Sequence, residues 1–200
     1  MSRTPSSHPT DRRDCAKLAA AIPTPIALRK ENPVLSGFRT MARYNRWMNE
    51  RVYERCEKLP DAERKTDRGA FFRSVHGTLN HLLLGDRLWL SRFLSREFRV
   101  STLADELYAD FAELRRERAK TDAEILEWVE TLDEGRLALP LKFRSMVGNR
   151  ERSFPLWFAV QHFFNHQTHH RGQVTTLLMQ AGVDPGVTDL LWLPGMETGA

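Results

Sequence analysis

The sequence predicts an all-α protein built as a four-helix bundle, and three observations carry that prediction. Apolar residues recur at three- and four-residue spacing through four long segments. Gly and Pro are sparse inside those segments, where Leu, Ala, Arg and Glu are plentiful. The connections between them are short, which joins helices to their neighbours in a bundle.

The first segment, residues 35–56, places Phe38, Met41, Ala42, Tyr44, Trp47, Met48 and Val52 at helical spacing and stops at Leu59-Pro60. A polar connection runs on through Arg68. The second helix is expected over 71–94, with Val75, Leu79, Leu82, Leu83, Leu88, Trp89 and Phe93 on a wide apolar face. The third is expected over 103–132, turning Leu107, Phe111, Leu114, Ala119, Ile125 and Val129 inward. Asp105 and Glu106 would favour its first turn through the helix dipole. Residues 137–154 break the pattern. Alternation at Leu139, Leu141 and Phe143 and a Gly148-Asn149 turn signal predict a short hairpin or extended loop. Pro155 suits the first turn of a fourth helix, which runs to Gln180 and ends at Gly182. The stretch from Asp184-Pro185-Gly186 to Trp192 is expected to fold back on the helices. Trp47, Trp89, Trp157 and Phe163 read as core residues.

Residues 1–34 are rich in Ser, Thr, Pro and Arg without a period. They read as a disordered tail, or as residues upstream of the true start, ahead of one domain at 35–195. With 41% hydrophobic and 28% charged residues the chain is globular, and no apolar run approaches the ~18–20 residues that span a bilayer. The formal net charge is +4, but residues 1–34 hold six basic and three acidic residues. Residues 35–200 are therefore left at +1, too little excess for a groove that tracks phosphates, and nucleic acid is not an expected partner. Two cysteines, Cys15 and Cys56, form neither a disulfide framework nor a CxxC clip. Arg12-Arg13 precedes an apolar stretch too short for a twin-arginine signal, which Pro23 and Pro25 interrupt. A reducing, cytoplasmic location is expected.

The chemistry concentrates at residues 163–173, Phe-Phe-Asn-His-Gln-Thr-His-His-Arg-Gly-Gln. His166 and His170 are four residues apart, so they stand about 40° apart on one helix face and can share a metal ion. Along Ala159, Phe163, His166, His170, Gln173 and Leu177 the steps of three and four mark a seam facing the interior. Two imidazoles where Leu is expected cost burial free energy unless a metal, a ligand or a hydrogen-bond network compensates. A network of core histidines without metal is the bland alternative. His162 and His169 flank the seam, and a His162–His166 pair has the same spacing.

His81, on the second helix, is the candidate third ligand. Gly85, one turn on, leaves space for a ligand or for close helix packing. His76 points elsewhere. Asp86 is turned from His81 and reads as a salt-bridge residue, and Arg171 either holds an anion near the metal or pairs inside the bundle. Three neutral imidazoles leave an open position on Zn²⁺, Ni²⁺ or a similar ion, as a catalytic site requires. The carboxylate of a zinc protease HExxH is missing, which disfavours peptide hydrolysis. There is no GxSxG, P-loop or GxGxxG motif.

The chain also resembles the DinB family within the DinB/YfiT-like metalloenzyme superfamily, which is distinct from the DNA polymerase sharing the name. The likeness runs from Phe38 to Trp192. It rests on Ala-Arg-Tyr-Asn-Arg-Trp at 42–47, Gly-Thr-Leu-Asn-His-Leu-Leu at 77–83, Asp-Arg-Leu-Trp-Leu at 86–90 and, most specifically, Phe-Asn-His-Gln-Thr-His-His-Arg-Gly-Gln at 164–173. The resemblance implies a bundle that is often dimeric, with His81, His166 and His170 on a divalent metal. It also implies kinship with metal-dependent transferases and isomerases that use a low-molecular-weight thiol such as mycothiol, bacillithiol or glutathione, and the expectation for this chain is a transferase or hydrolase that activates a small thiol or water for a small-molecule substrate. The competing expectation is a metal-binding, damage-inducible protein without turnover, whose site is closed by His162 or His169.

Overall fold

The computed structural model describes residues 32–197; the tail expected at 1–34 falls outside the described residues except for its last three. Helix α1 (Pro33–Glu57) opens on Asn32, whose side-chain oxygen accepts from the Val34 amide at 2.8 Å, while Pro33 stands where no helical N–H is needed. A short α2 (Asp61–Lys65) interrupts the expected polar connection. Ser74 caps α3 (Val75–Phe93) through the Gly77 amide at 3.0 Å. Asp110 caps α4 (Phe111–Glu130) through the Glu113 amide at 2.7 Å. Asp133 does the same for the short α5 (Glu134–Ala138), at 2.7 Å from the Arg136 amide. Each such cap contributes about 1 kcal/mol. The antiparallel hairpin β1 (Pro140–Arg144) and β2 (Glu151–Pro155) follows, pairing Leu141 with Phe154 and Phe143 with Arg152. Its turn uses Gly148 and Asn149 at φ 72° and 46°. Helix α6 (Leu156–Gln180) starts directly after Pro155, and Gly182 at φ 76° ends it.

The sequence expectations need three corrections. The third long helix does not begin at Leu103. Residues 103–110 are irregular, because the Asp105 carboxylate bonds the Ser101 and Thr102 amides and holds a turn there. Asp105 and Glu106 therefore do not lie in a helical first turn. Ala119 is exposed, and α4 instead buries Arg118, Thr121 and Asp122. Trp157 is 48% exposed and so is not a core residue, while Trp47 and Trp89 are half-buried. The C-terminal segment does fold back: the Tyr44 hydroxyl donates to the Thr188 carbonyl at 2.5 Å, and Leu193 is buried.

The four long helices touch in a closed ring, with α1 against α4 and α6, and α3 against the same two. Their apolar faces make two clusters. One gathers Met48, Val52, Tyr53, Leu79, Leu83, Leu114 and Leu178; the other gathers Phe38, Leu90, Phe93, Ile125, Trp128, Phe163 and Phe164. Between them lie the buried polar residues Asp86 of α3, Arg118 and Asp122 of α4, and Gln167 and Arg171 of α6, to which α1 adds Asn45 and Asn49. Arg118 lies 2.6 Å from Asp86 and 2.8 Å from Asp122. The Asn45 and Asn49 amides donate to Asp122 at 3.0 and 2.9 Å, and Arg171 donates to Asn45. Burial pushes the Asp122 carboxyl up to about 6, with Arg118 pulling the other way, so it remains ionised at pH 7.

Arg118→Met would leave two buried carboxylates without their guanidinium. We expect a loss of about 3–5 kcal/mol, read as a lower urea midpoint. Arg115→Met, which removes a surface pair with Glu57, is expected to cost under about 1 kcal/mol in the same titration.

Candidate metal centre

His81 comes from the second turn of α3, and its orientation is set by the irregular segment after that helix. Its Nδ1 donates to the Leu103 carbonyl at 2.8 Å. A carbonyl only accepts, so Nδ1 carries the proton and Nε2 presents its lone pair. His170, on α6, has Nδ1 2.8 Å from Oε1 of Gln173, one turn further along the same helix, and its Nε2 is likewise left as an acceptor. The two Nε2 atoms face each other at 3.1 Å. Two lone pairs at that distance repel unless a cation lies between them.

A proton is poorly suited to be that cation. Burial holds His81 down at about 4, its bond to Leu103 opposing and the neighbouring His170 assisting. Burial also holds His166 down at about 3 and lowers His170, with the Gln173 bond opposing the latter shift. All three rings are neutral at pH 7, the form that ligates metals. A divalent first-row ion with bonds of ~2.0–2.1 Å holds two imidazole nitrogens roughly 3.0–3.4 Å apart. The observed separation falls within that span, so the His81–His170 pair fits such an ion.

His166 completes the group: one nitrogen from each of His81, His166 and His170 lies within 4.8 Å of the others, and these three could hold a metal ion. The Nδ1 of His166 is buried without a hydrogen-bond partner. Gly85 gives this ring its place. A Cβ on Gly85 would stand 2.9 Å from His166 Cε1, so the space that glycine leaves is filled by an imidazole. Gly77 has a parallel role, because a Cβ there would meet the Phe72 carbonyl at 2.2 Å. That close approach brings Phe72 over His81, with ring centroids 3.7 Å apart and planes within 15°.

Among the described residues no fourth histidine, cysteine or carboxylate joins the group. His169 is exposed, beside the Gln173 amide at 3.4 Å, and His162 lies tilted against Trp89 with ring centroids 5.0 Å apart. His76 bonds the Tyr108 carbonyl at 2.9 Å, away from the three. Asp86 pairs with Arg118, and Arg171 belongs to the same internal polar layer, so neither presents its charge as an anion site beside the histidines.

A cavity of about 360 Å³ opens beside His81 and His166. Leu88, Trp89 and Arg92 of α3, Phe143 and Phe154 of the hairpin, and Phe158 and His162 of α6 form much of its wall. Sequence reasoning did not single out Phe72, Leu103 or Arg92 as parts of this site. Leu103 acts through its carbonyl, for which a side-chain pattern carries no signal.

Comparison with known proteins follows the same line. The DinB family profile matches residues 30–199. The chain is 28% identical over 159 residues to Protein DinB of Bacillus subtilis (strain 168), covering 73% of this chain and 87% of that protein. Its fold is similar to that of a DinB-like protein from Bacillus cereus ATCC 10987 in a crystal structure, with a TM-score of 0.53 and 19% identity over 76% of this chain and 91% of the other.

Gly85→Ala is expected to displace the His166 ring while leaving the helices intact. Affinity for Zn²⁺, measured by competition with a chromophoric chelator, should fall by ~10–100-fold with an unchanged far-UV circular dichroism spectrum.

Proposed function

The chain belongs to the DinB family, and from that membership we propose a divalent-metal-dependent enzyme that activates a small thiol or a water at His81, His166 and His170. The observation that carries this reading is the union of three convergent neutral imidazoles with an adjoining cavity of ligand size. A closed structural site uses four protein ligands, whereas three leave a position for the reacting molecule. We read the ring of long helices as the four-helix bundle that the sequence predicts.

The ion would lower the pKa of a thiol or water bound to it, supplying a nucleophile at neutral pH. The remaining roles belong to the chain. Leu103 and Gln173 hold the tautomers of His81 and His170, so that both Nε2 lone pairs stay available. Gly85 keeps room for His166. The aromatic and aliphatic wall reduces the water around a bound ligand, which strengthens polar interactions inside. His162 lines the same cavity with its pKa lowered by burial and by Arg92, and as a neutral imidazole it is placed to accept the proton released by the nucleophile. Peptide hydrolysis is not proposed. Cys56 is a buried free thiol with its pKa pushed up to about 12 by burial, so it is not the nucleophile. A cytoplasmic location and a homodimer belong to the same proposal, and no helix among the described residues is long and apolar enough to cross a membrane.

Metal content by mass spectrometry on protein without a histidine tag should approach one ion per chain. It should fall to background in His81→Ala, His166→Ala and His170→Ala. Folded protein that takes up no divalent ion would sink the proposal and leave the three histidines as a core network. In cobalt-loaded protein, added glutathione should produce a thiolate-to-cobalt absorption band. Metal binding with no response to any thiol and no turnover would favour the metal-binding protein without catalysis.

A further inference from the structure

We propose that the cavity beside the three histidines selects a small molecule with an apolar body and a carboxylate, and that Arg92 is the residue that reads the carboxylate. The inference rests on the reading above, in which this cavity admits the substrate of the metal centre, and it names the class of that substrate.

The charge of the wall comes first. Arg92 and Arg152 are the formally charged residues lining the cavity, and no Asp or Glu lines it among the described residues. The rest is mainly apolar, with Trp89, Phe143, Phe154 and Phe158 supplying aromatic surface. A pocket of this composition favours an apolar ligand that brings a negative charge of its own.

Arg92 differs from its neighbours in what it touches. Arg87 on the same helix pairs with Glu117 at 2.6 Å, and Arg96 just beyond the helix pairs with Glu124. The Arg92 guanidinium has no hydrogen bond or ion pair among the described residues. Its guanidinium carbon instead lies 4.6 Å from the Trp89 ring centroid and 4.2 Å from that of Phe143. Two aromatic faces position a guanidinium without using its N–H groups, so its five donors remain available to an incoming acceptor. Burial lowers the Arg92 pKa to about 10, which leaves the side chain charged at pH 7 in a site where water solvates it incompletely.

The anion's class follows from the donors. One planar fork matches one carboxylate in a bidentate pair. A dianionic phosphate would call for more donors, and the second guanidinium, Arg152, is exposed on β2 opposite Phe143. The hairpin therefore contributes to specificity: it supplies Phe143 to stack on Arg92 and Phe154 to the apolar wall.

The test compares 3-phenylpropanoate with its uncharged isostere 3-phenylpropanamide by calorimetry and ligand-detected NMR. Both ligands are titrated into protein as purified and into protein after chelator dialysis. Wild type should bind the acid at least ~10-fold more tightly than the amide in both forms. The preference should drop below about threefold in Arg92→Met and be partly kept in Arg92→Lys, which retains the charge without the fork. Arg152→Met should reduce it less than Arg92→Met does. Equal binding of the two ligands by wild type, no binding of either at millimolar concentration, or a preference that survives Arg92→Met overturns the assignment. Should Arg92→Met fail to fold, the wild-type comparison and Arg92→Lys still decide. A preference confined to metal-loaded protein and insensitive to Arg92 places the carboxylate on the metal, which rejects Arg92 and leaves the metal centre standing. A preference that depends on Arg92 in protein unable to take up metal supports Arg92 and rejects the metal-dependent enzyme.

Discussion

Arg118 clamps two buried carboxylates, Asp86 from α3 and Asp122 one turn along its own helix, at the level where the two apolar clusters meet. Apolar packing alone tolerates sliding of one helix past another, because hydrophobic attraction has little direction. A buried ion pair does not, since any shift leaves a charge unpaired at a cost of several kcal/mol. Asp86 is adjacent to Gly85, and Gln167 in the same layer is adjacent to His166. The clamp thus fixes the turn of α3 that carries Gly85 against α4, and the layer reaches α6 through Arg171, which donates to Asn45 of α1.

The centre itself is assembled against local preference. Two imidazoles whose Nδ1 protons are committed to Leu103 and Gln173 hold their Nε2 atoms 3.1 Å apart with both lone pairs facing inward. Burial makes protonation an unfavourable remedy, and a cation becomes the favourable one. Two close approaches support the arrangement. Gly85 admits His166, and Gly77 lets the Phe72 backbone approach so that the Phe72 ring covers His81. Both glycines lie inside a helix, where Gly costs roughly 1 kcal/mol relative to Ala, so helix stability is sacrificed for the geometry of the site.

The hairpin divides the labour differently. It takes no part in the contacts among the long helices, yet it supplies Phe143 and Phe154 to the cavity and an aromatic face to Arg92. Variation at Phe143 and Phe154 can change what the cavity admits, whereas Leu141 of β1 packs against the apolar cluster of Phe38 and Phe93.

The four long helices, a hairpin or extended loop around Gly148-Asn149, and the inward placement of His166 and His170 were legible in the sequence, because each is a periodic or turn signal carried by residues close together in the chain. The sequence also singled out His81 and Gly85, since an imidazole and a missing side chain one turn apart stand out on an apolar helix. The remaining features follow from how the helices pack. Residues 103–110 are irregular although their apolar spacing suits a helix, because Asp105 bonds backbone amides before it and the Leu103 carbonyl is needed by a side chain 22 residues away. Arg118 and Asp122 replace Ala119 in the interior because their charges are satisfied by partners on other helices. Among the described residues Arg92 has no carboxylate partner, because the elements that fold around it present rings instead. Contacts between residues distant in the chain leave no periodicity behind, which is why they became visible only once the helices were packed.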